Sequence, residues 1–115
     1  MSDFTVVTQQ HPDRTVITVS GDMDLQTCPE LAQAAFIIPL GGQTLYLDLS
    51  GVSFMDSSGL SLLVLLRRRL HAVGGRLAVT GLQSQPARLL EITDTYELFA
   101  ADTAAADGSD EALIA

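Results

Sequence analysis

The stretch Thr44-Leu45-Tyr46-Leu47-Asp48-Leu49-Ser50-Gly51-Val52-Ser53-Phe54-Met55-Asp56-Ser57-Ser58-Gly59-Leu60 decides the fold. Its first part alternates. Leu45, Leu47 and Leu49 point one way and Tyr46 and Asp48 the other, the pattern of a strand with one face in a core. Gly51 to Met55 reads as a connecting loop. A helix is predicted from about Ser57 to Val73, stopped by Gly74-Gly75. On it, Leu62, Leu63, Leu66, Leu70 and Val73 fall within about one 100° arc and form the core stripe.

Working outward, Phe4 to Gln10 and Arg14 to Ser20 read as strands joined by a turn at His11-Pro12-Asp13. So short a connection makes them an antiparallel hairpin. Gly21 ends the second strand, and Asp22-Met23-Asp24 leads into a helix from Leu25 or Thr27 to Ile38. Pro29 is acceptable in its first turn. Gly41-Gly42 breaks the chain. Arg76 to Thr80 is a further strand, Gly81 turns the chain, and Pro86 opens a helix through about Ile92. Leu98 to Ala101 reads as a short last strand and Thr103 to Gly108 as a linker. Ser109 would cap a brief terminal helix, Asp110 to Ile114. Strands alternating with helices imply one α/β domain over residues 1–115, with parallel crossovers. The initial hairpin makes the sheet mixed, with four or five strands.

The chain has 115 residues, 47% of them hydrophobic and 17% charged, which suits one globular domain. Net charge is -8, with fourteen acidic residues against six arginines and no lysine. Phosphate binding needs clustered positive charge, so no nucleic-acid or anionic-membrane partner is expected. The triplet Arg67-Arg68-Arg69 is too short to reverse this and reads as a solvated helix end complementing the dipole. Met1-Ser2-Asp3-Phe4 lacks the basic start and apolar run of a signal peptide. Leu62 to Leu66 is too short to span a bilayer. The expected compartment is the cytoplasm. Cys28 is the single cysteine and reads as a small buried apolar residue. No metal-ligand cluster, phosphate loop or cofactor motif is present.

The chemistry of the central loop lies in its hydroxyls. Asp56, or else Ser57, can cap the following helix by accepting from a free amide. Ser58 then sits in the first turn, at the positive end of the helix dipole. A phosphate there adds about -1.5 to -2 charges at a terminus that tolerates anions. Gly59 reduces bulk beside the serine, which would let another protein's active site approach. The plainer reading is that Asp-Ser-Ser at a helix start is ordinary capping. Residue chemistry alone favours it and does not choose between Ser57 and Ser58.

The chain resembles the STAS-domain anti-sigma factor antagonist (anti-anti-sigma) family. The resemblance rests on Leu47-Asp48-Leu49-Ser50-Gly51-Val52, on Phe54-Met55-Asp56-Ser57-Ser58-Gly59-Leu60, and on Ser20-Gly21-Asp22-Met23-Asp24-Leu25. It runs from about Phe4 to Leu113, with residues 103–115 matched weakly. It implies a small mixed sheet with helices mainly on one face. It also implies partner switching. The unphosphorylated antagonist binds an anti-sigma factor that is an ATP-dependent serine kinase and frees the sigma factor for transcription. Phosphorylation at Ser58 releases the antagonist, and a serine phosphatase restores it. Asp22 and Asp24 match the family's acidic loop beside the kinase-binding surface, with a solvated turn as their plainer reading. Asp56 positions the helix start. Leu60 and Val64 lie off the core stripe, and either pack under a neighbouring helix or flank Ser58 as an apolar patch that the kinase covers. With Ser57, Ser58 and Gly59 these form the expected partner surface of a monomer.

No catalysis by the chain itself is expected. A hydrolase elbow needs Gly-x-Ser-x-Gly, and neither serine has both glycines. His11 and His71 are not placed as a general base. The runner-up is an unphosphorylated STAS module of a lipid-transport complex or a stress-signalling scaffold.

Overall fold

Strand β1 (Thr5–Gln10) and strand β2 (Arg14–Ser20) form the hairpin, antiparallel, with Val6 opposite Val19 and Gln10 opposite Thr15. A computed structural model describes residues 4–38 and 43–107. After the hairpin come α1 (Cys28–Phe36), β3 (Thr44–Gly51), α2 (Ser57–Ala72), β4 (Arg76–Thr80), α3 (Ser84–Ile92) and α4 (Tyr96–Asp107). The sheet has four strands in the order β1-β2-β3-β4, and β2, β3 and β4 run parallel. Both parallel links are helical and step in the same direction. Right-handed crossovers therefore put α1 and α2 on the same face.

That face is the core. Thr15, Ile17 and Val19 of β2, Leu45, Leu47 and Leu49 of β3, and Leu77 and Val79 of β4 are buried. Against them pack Leu31 and Ala35 of α1 and Leu62, Leu63, Leu66 and Leu70 of α2. Val73, expected to complete the α2 stripe, is 54% exposed. It is the C-cap, where helical geometry has already ended (φ -109°, ψ 17°), so the helical period no longer aims it at the sheet. On the opposite face Val16, Thr18, Tyr46 and Asp48 are half-buried, and the Arg14 guanidinium lies 5.7 Å from the Tyr46 ring centroid.

The C-terminal third departs from the sequence reading. Leu98 to Ala101 is not a strand, and Thr103 to Asp107 is not a linker: both lie within α4. The burial has helical spacing. Phe99 and Thr103 are fully buried, with Tyr96 and Ala100 half-buried beside them. Before α4, the chain turns at the end of α3 through Asp94 (φ 61°), with Thr95 N donating to Leu90 O at 2.9 Å and Asp94 N to Glu91 O at 3.2 Å. Helix α3 itself starts at Ser84, ahead of Pro86, which sits in the first turn where its missing N–H costs nothing. Gly41-Gly42 and the terminal helix expected over Asp110 to Ile114 lie outside the described residues.

Helix α4 seals the sheet edge at β4. Thr103 Oγ1 accepts from Val79 N at 2.9 Å and donates to Phe99 O at 2.7 Å, with Val79 O 3.3 Å away. A side-chain hydroxyl thus does what a fifth strand would do for this amide, and the edge is closed to further strand pairing. Next to it, buried Asp102 takes Arg67 Nε at 2.8 Å and His71 Nε2 at 2.9 Å, tying α4 to α2. Thr103→Val keeps the volume but strands the buried Val79 amide. It should lower unfolding free energy in urea by about 1–3 kcal/mol with the secondary structure intact. An unchanged denaturation midpoint would show that the edge does not depend on the hydroxyl.

Candidate functional site

Beyond the ends of β2 and β3 the two chains stay side by side. Gly21 N donates to Gly51 O at 3.0 Å, Met23 N to Phe54 O at 2.9 Å, and Asp56 N to Met23 O at 3.0 Å. Met23 and Met55 form an isolated parallel bridge, and both side chains are fully buried. Their inward anchoring leaves Asp22 exposed, with Asp24 and Asp56 half-buried above the sheet. The acidic turn and the serine loop, about thirty residues apart in sequence, are therefore held together by backbone pairing.

Asp24 holds the turn that leads into α1, and Asp56 caps α2. Asp24 Oδ1 accepts from Gln26 N at 3.0 Å, Thr27 N at 3.1 Å and Thr27 Oγ1 at 3.2 Å. Thr27 Oγ1 also lies 2.6 Å from Asp22 O. Asp56 is the N-cap of α2, with extended backbone (φ -104°, ψ -170°), and its Oδ1 accepts from Ser58 N at 2.8 Å and Gly59 N at 3.4 Å. Ser57 is exposed and Ser58 half-buried. No described residue hydrogen-bonds the Ser58 hydroxyl.

Gly59 is buried and turned inward. A Cβ there would lie 2.6 Å from Met55 Cγ, 3.2 Å from Met23 Cβ and 3.3 Å from Met23 O. Its lack of a side chain lets the first turn of α2 sit on the Met23–Met55 bridge. It does not open the surface beside Ser58, as the sequence reading had it.

Between the N-terminal turns of α1 and α2 lies an open groove of about 410 Å³. Leu25, Pro29 and Ala32 form one wall, Ser57, Ser58 and Ser61 the other, with Cys28 and Leu62 below. Leu25 is 75% exposed at the rim. The structure thus brings Ser57 and Ser58 together with the acidic loop, on the wall of an apolar groove. Leu60 and Val64 are half-buried, pack against the core and do not line it. Of the arginines, Arg67 is paired with Asp102 and Arg69 stacks over the Phe36 ring at 4.5 Å, while Arg68 is exposed.

Two site residues had no sequence signal. Gln85, in the first turn of α3, accepts from Met55 N at 2.7 Å and donates to Met55 O at 2.9 Å. Gln83 donates to Ser50 O at 2.7 Å. Both reach the serine loop from thirty or more residues away, and an isolated polar side chain carries no periodicity. Leu25 was legible as the helix entry, though nothing in the sequence marked it as exposed.

The fold and this loop define a class. The family model described as "Mlab, STAS domain" matches residues 6–99, and the chain belongs to the STAS-domain family. Its relatives place it among the anti-sigma factor antagonists. It is 30% identical over 99 residues to an anti-sigma-B factor antagonist of Staphylococcus epidermidis, covering 84% of this chain and 90% of that one. The crystal structure of an anti-sigma factor antagonist from Mycobacterium paratuberculosis superposes with a TM-score of 0.74 at 28% identity, covering 84% and 83% of the two chains. Bacillus SpoIIAA in its phosphorylated form shares the fold, with a TM-score of 0.63 at 22% identity over 80% of this chain and 84% of that one. Among the described residues no helix is long and apolar enough to cross a membrane.

The groove floor carries a titratable group. Burial, then the carboxylates of Asp56 and Asp24, push the Cys28 thiol up from 9.0 to about 11. The neutral thiol is thus favoured by folding. Between pH 9 and 11 the unfolded chain loses this proton first, so stability falls as pH rises through that window. Cys28→Ala should flatten that part of the stability curve, and the native thiol should react with Ellman's reagent at pH 8 only on unfolding. Rapid reaction of the folded protein would contradict both statements.

Proposed function

We propose that this chain is an anti-sigma factor antagonist working by partner switching in the cytoplasm. Its unphosphorylated form binds an anti-sigma factor serine kinase, frees the sigma factor, and is released when the kinase phosphorylates Ser58. A serine phosphatase resets it. The chain is a substrate and a ligand, with no chemistry of its own.

The observation that carries this reading is the position of Ser58. Its amide is tied to Asp56, while its hydroxyl, which no described residue hydrogen-bonds, lies on the wall of an open apolar groove. Asp22, Asp24 and Asp56, on the two loops that lead into α1 and α2, add negative charge near the groove, which suits a partner with basic residues around an apolar contact. A phosphate on the groove wall would have to be desolvated beneath that partner and would face the carboxylates of Asp24 and Asp56. Both effects oppose binding. The helix terminus offsets part of the cost within the free protein, so release need not involve unfolding. The antagonist name of a relative 30% identical over most of the chain, and the existence of SpoIIAA in a phosphorylated form, support the same reading.

A pull-down from the native cell, comparing wild type with Ser58→Ala, should recover the same serine kinase with both. With that kinase and ATP, wild type should gain one phosphate, mapped to Ser58 by mass spectrometry. Ser58→Ala should stay bound on ATP addition, and Ser58→Asp should bind at least tenfold more weakly by calorimetry while keeping its fold. Modification at Ser57, or ATP-driven release of Ser58→Ala, would overturn the assignment. Recovery of a transport complex with no kinase would instead favour an unphosphorylated STAS module.

A further inference from the structure

Strand β4 pairs with β3 only as far as Thr80 opposite Asp48, and then turns away at Gly81 (φ 73°). A Cβ at Gly81 would come within 2.8 Å of Ser50 Cβ, so the turn is made in close contact with the end of β3. Beyond this point, among the described residues, no strand neighbours the β4-side edge of the serine loop. The two glutamines fill that edge. Gln83 Nε2 donates to Ser50 O, and the Gln85 amide makes both bonds to Met55, Oε1 to N at 2.7 Å and Nε2 to O at 2.9 Å. This is the pairing that a strand backbone would make. On the opposite edge Met23 N donates to Phe54 O, and Met23 O accepts from Asp56 N. The segment Phe54–Asp56 is thus held from both sides like the middle strand of a ladder.

We propose that Gln85 is a positioning residue for modification of Ser58. The inference rests on the reading of Ser58 as the phosphorylated residue. Gln85 acts through the backbone: it fixes Met55, Met55 is followed by the cap residue Asp56, and Asp56 fixes the Ser58 amide. Phosphoryl transfer needs the hydroxyl in line with the γ-phosphate, and a displacement of about 1 Å can cost about 10²-fold in rate. Gln85 is not among the residues lining the groove. Its loss should therefore leave docking largely intact while degrading transfer.

Gln85→Met keeps the length and removes both bonds. With the kinase recovered as above and saturating ATP, kcat for phosphorylation should fall tenfold or more with KM within threefold of wild type. Gln85→Glu keeps the acceptor for Met55 N and should fall between the two. In the protein alone, hydrogen exchange at the Met55 amide should quicken at least tenfold in Gln85→Met, with Leu47 in the middle of β3 unchanged. Thr103→Val, which loses a bond to Val79 of β4 and none to the serine loop, should leave kcat at the wild-type value. The proposal is overturned if Gln85→Met keeps kcat within twofold of wild type, if Met55 protection is unaffected, or if Thr103→Val slows transfer equally. A wild-type chain that is not phosphorylated at Ser58 removes the reading beneath it, a result separate from equal rates in wild type and Gln85→Met.

Discussion

The backbone pairing between Met23 and Met55 is the constraint on which the site depends. Two parallel strands end, and the chains leaving them do not diverge at once. Three amide-to-carbonyl bonds carry the pairing onward, and two fully buried methionines anchor it from below. Everything above inherits that register: Asp22 and Asp24 on one chain, Asp56 and the serines on the other. Gly59 belongs to the same constraint, because α2 can start there only if its third residue leaves room for both methionine neighbours. A helix-destabilising glycine costs about 1 kcal/mol in an exposed helix interior. Here the alternative is an overlap with the Met55 side chain and a tight contact with Met23.

Periodicity made the core of this fold legible. The alternation of Leu45, Leu47 and Leu49 and the arc of Leu62, Leu63, Leu66 and Leu70 are local patterns, and each ends in the sheet-to-helix interior as read. The segment from Leu98 onward was misread because a short apolar run suits either a strand or a helix. The arbitrating fact is tertiary. The edge of β4 is occupied by Thr103, a side chain on a helix, so no strand is needed to satisfy Val79. Val73 missed the core for a simpler reason, since the helix ends one residue before it.

The serine loop shows where single-residue reasoning stops. Asp56 as the helix cap followed from residue type and position alone. The location of Leu60 and Val64 did not, because a helix surface can be covered either by a partner or by its own domain; here both pack on the core. The apolar surface beside Ser58 comes from Pro29 and Ala32 of α1 and from Leu25 in the turn before it. That face depends on two parallel helices starting side by side, which is a property of the crossover topology and leaves no local trace. Gln85 is legible only once α3 is known to begin where β4 has turned away.

These facts separate what holds the loop from what the loop presents. The amides at the start of α2 are met by Asp56, the backbone of residues 54–56 by Met23 and Gln85, and the turn into α1 by Asp24 and Thr27. None of these bonds uses the Ser58 hydroxyl. A group added there changes the charge and shape of the groove wall without removing a bond on which the fold relies. Asp24 and Asp56 are different, because their Oδ1 atoms hold the turn into α1 and the start of α2, so any partner contact they make is coupled to local structure. The serines of the groove wall, Ser57, Ser58 and Ser61, can thus change state at little structural cost, which is what the proposed reading of Ser58 requires.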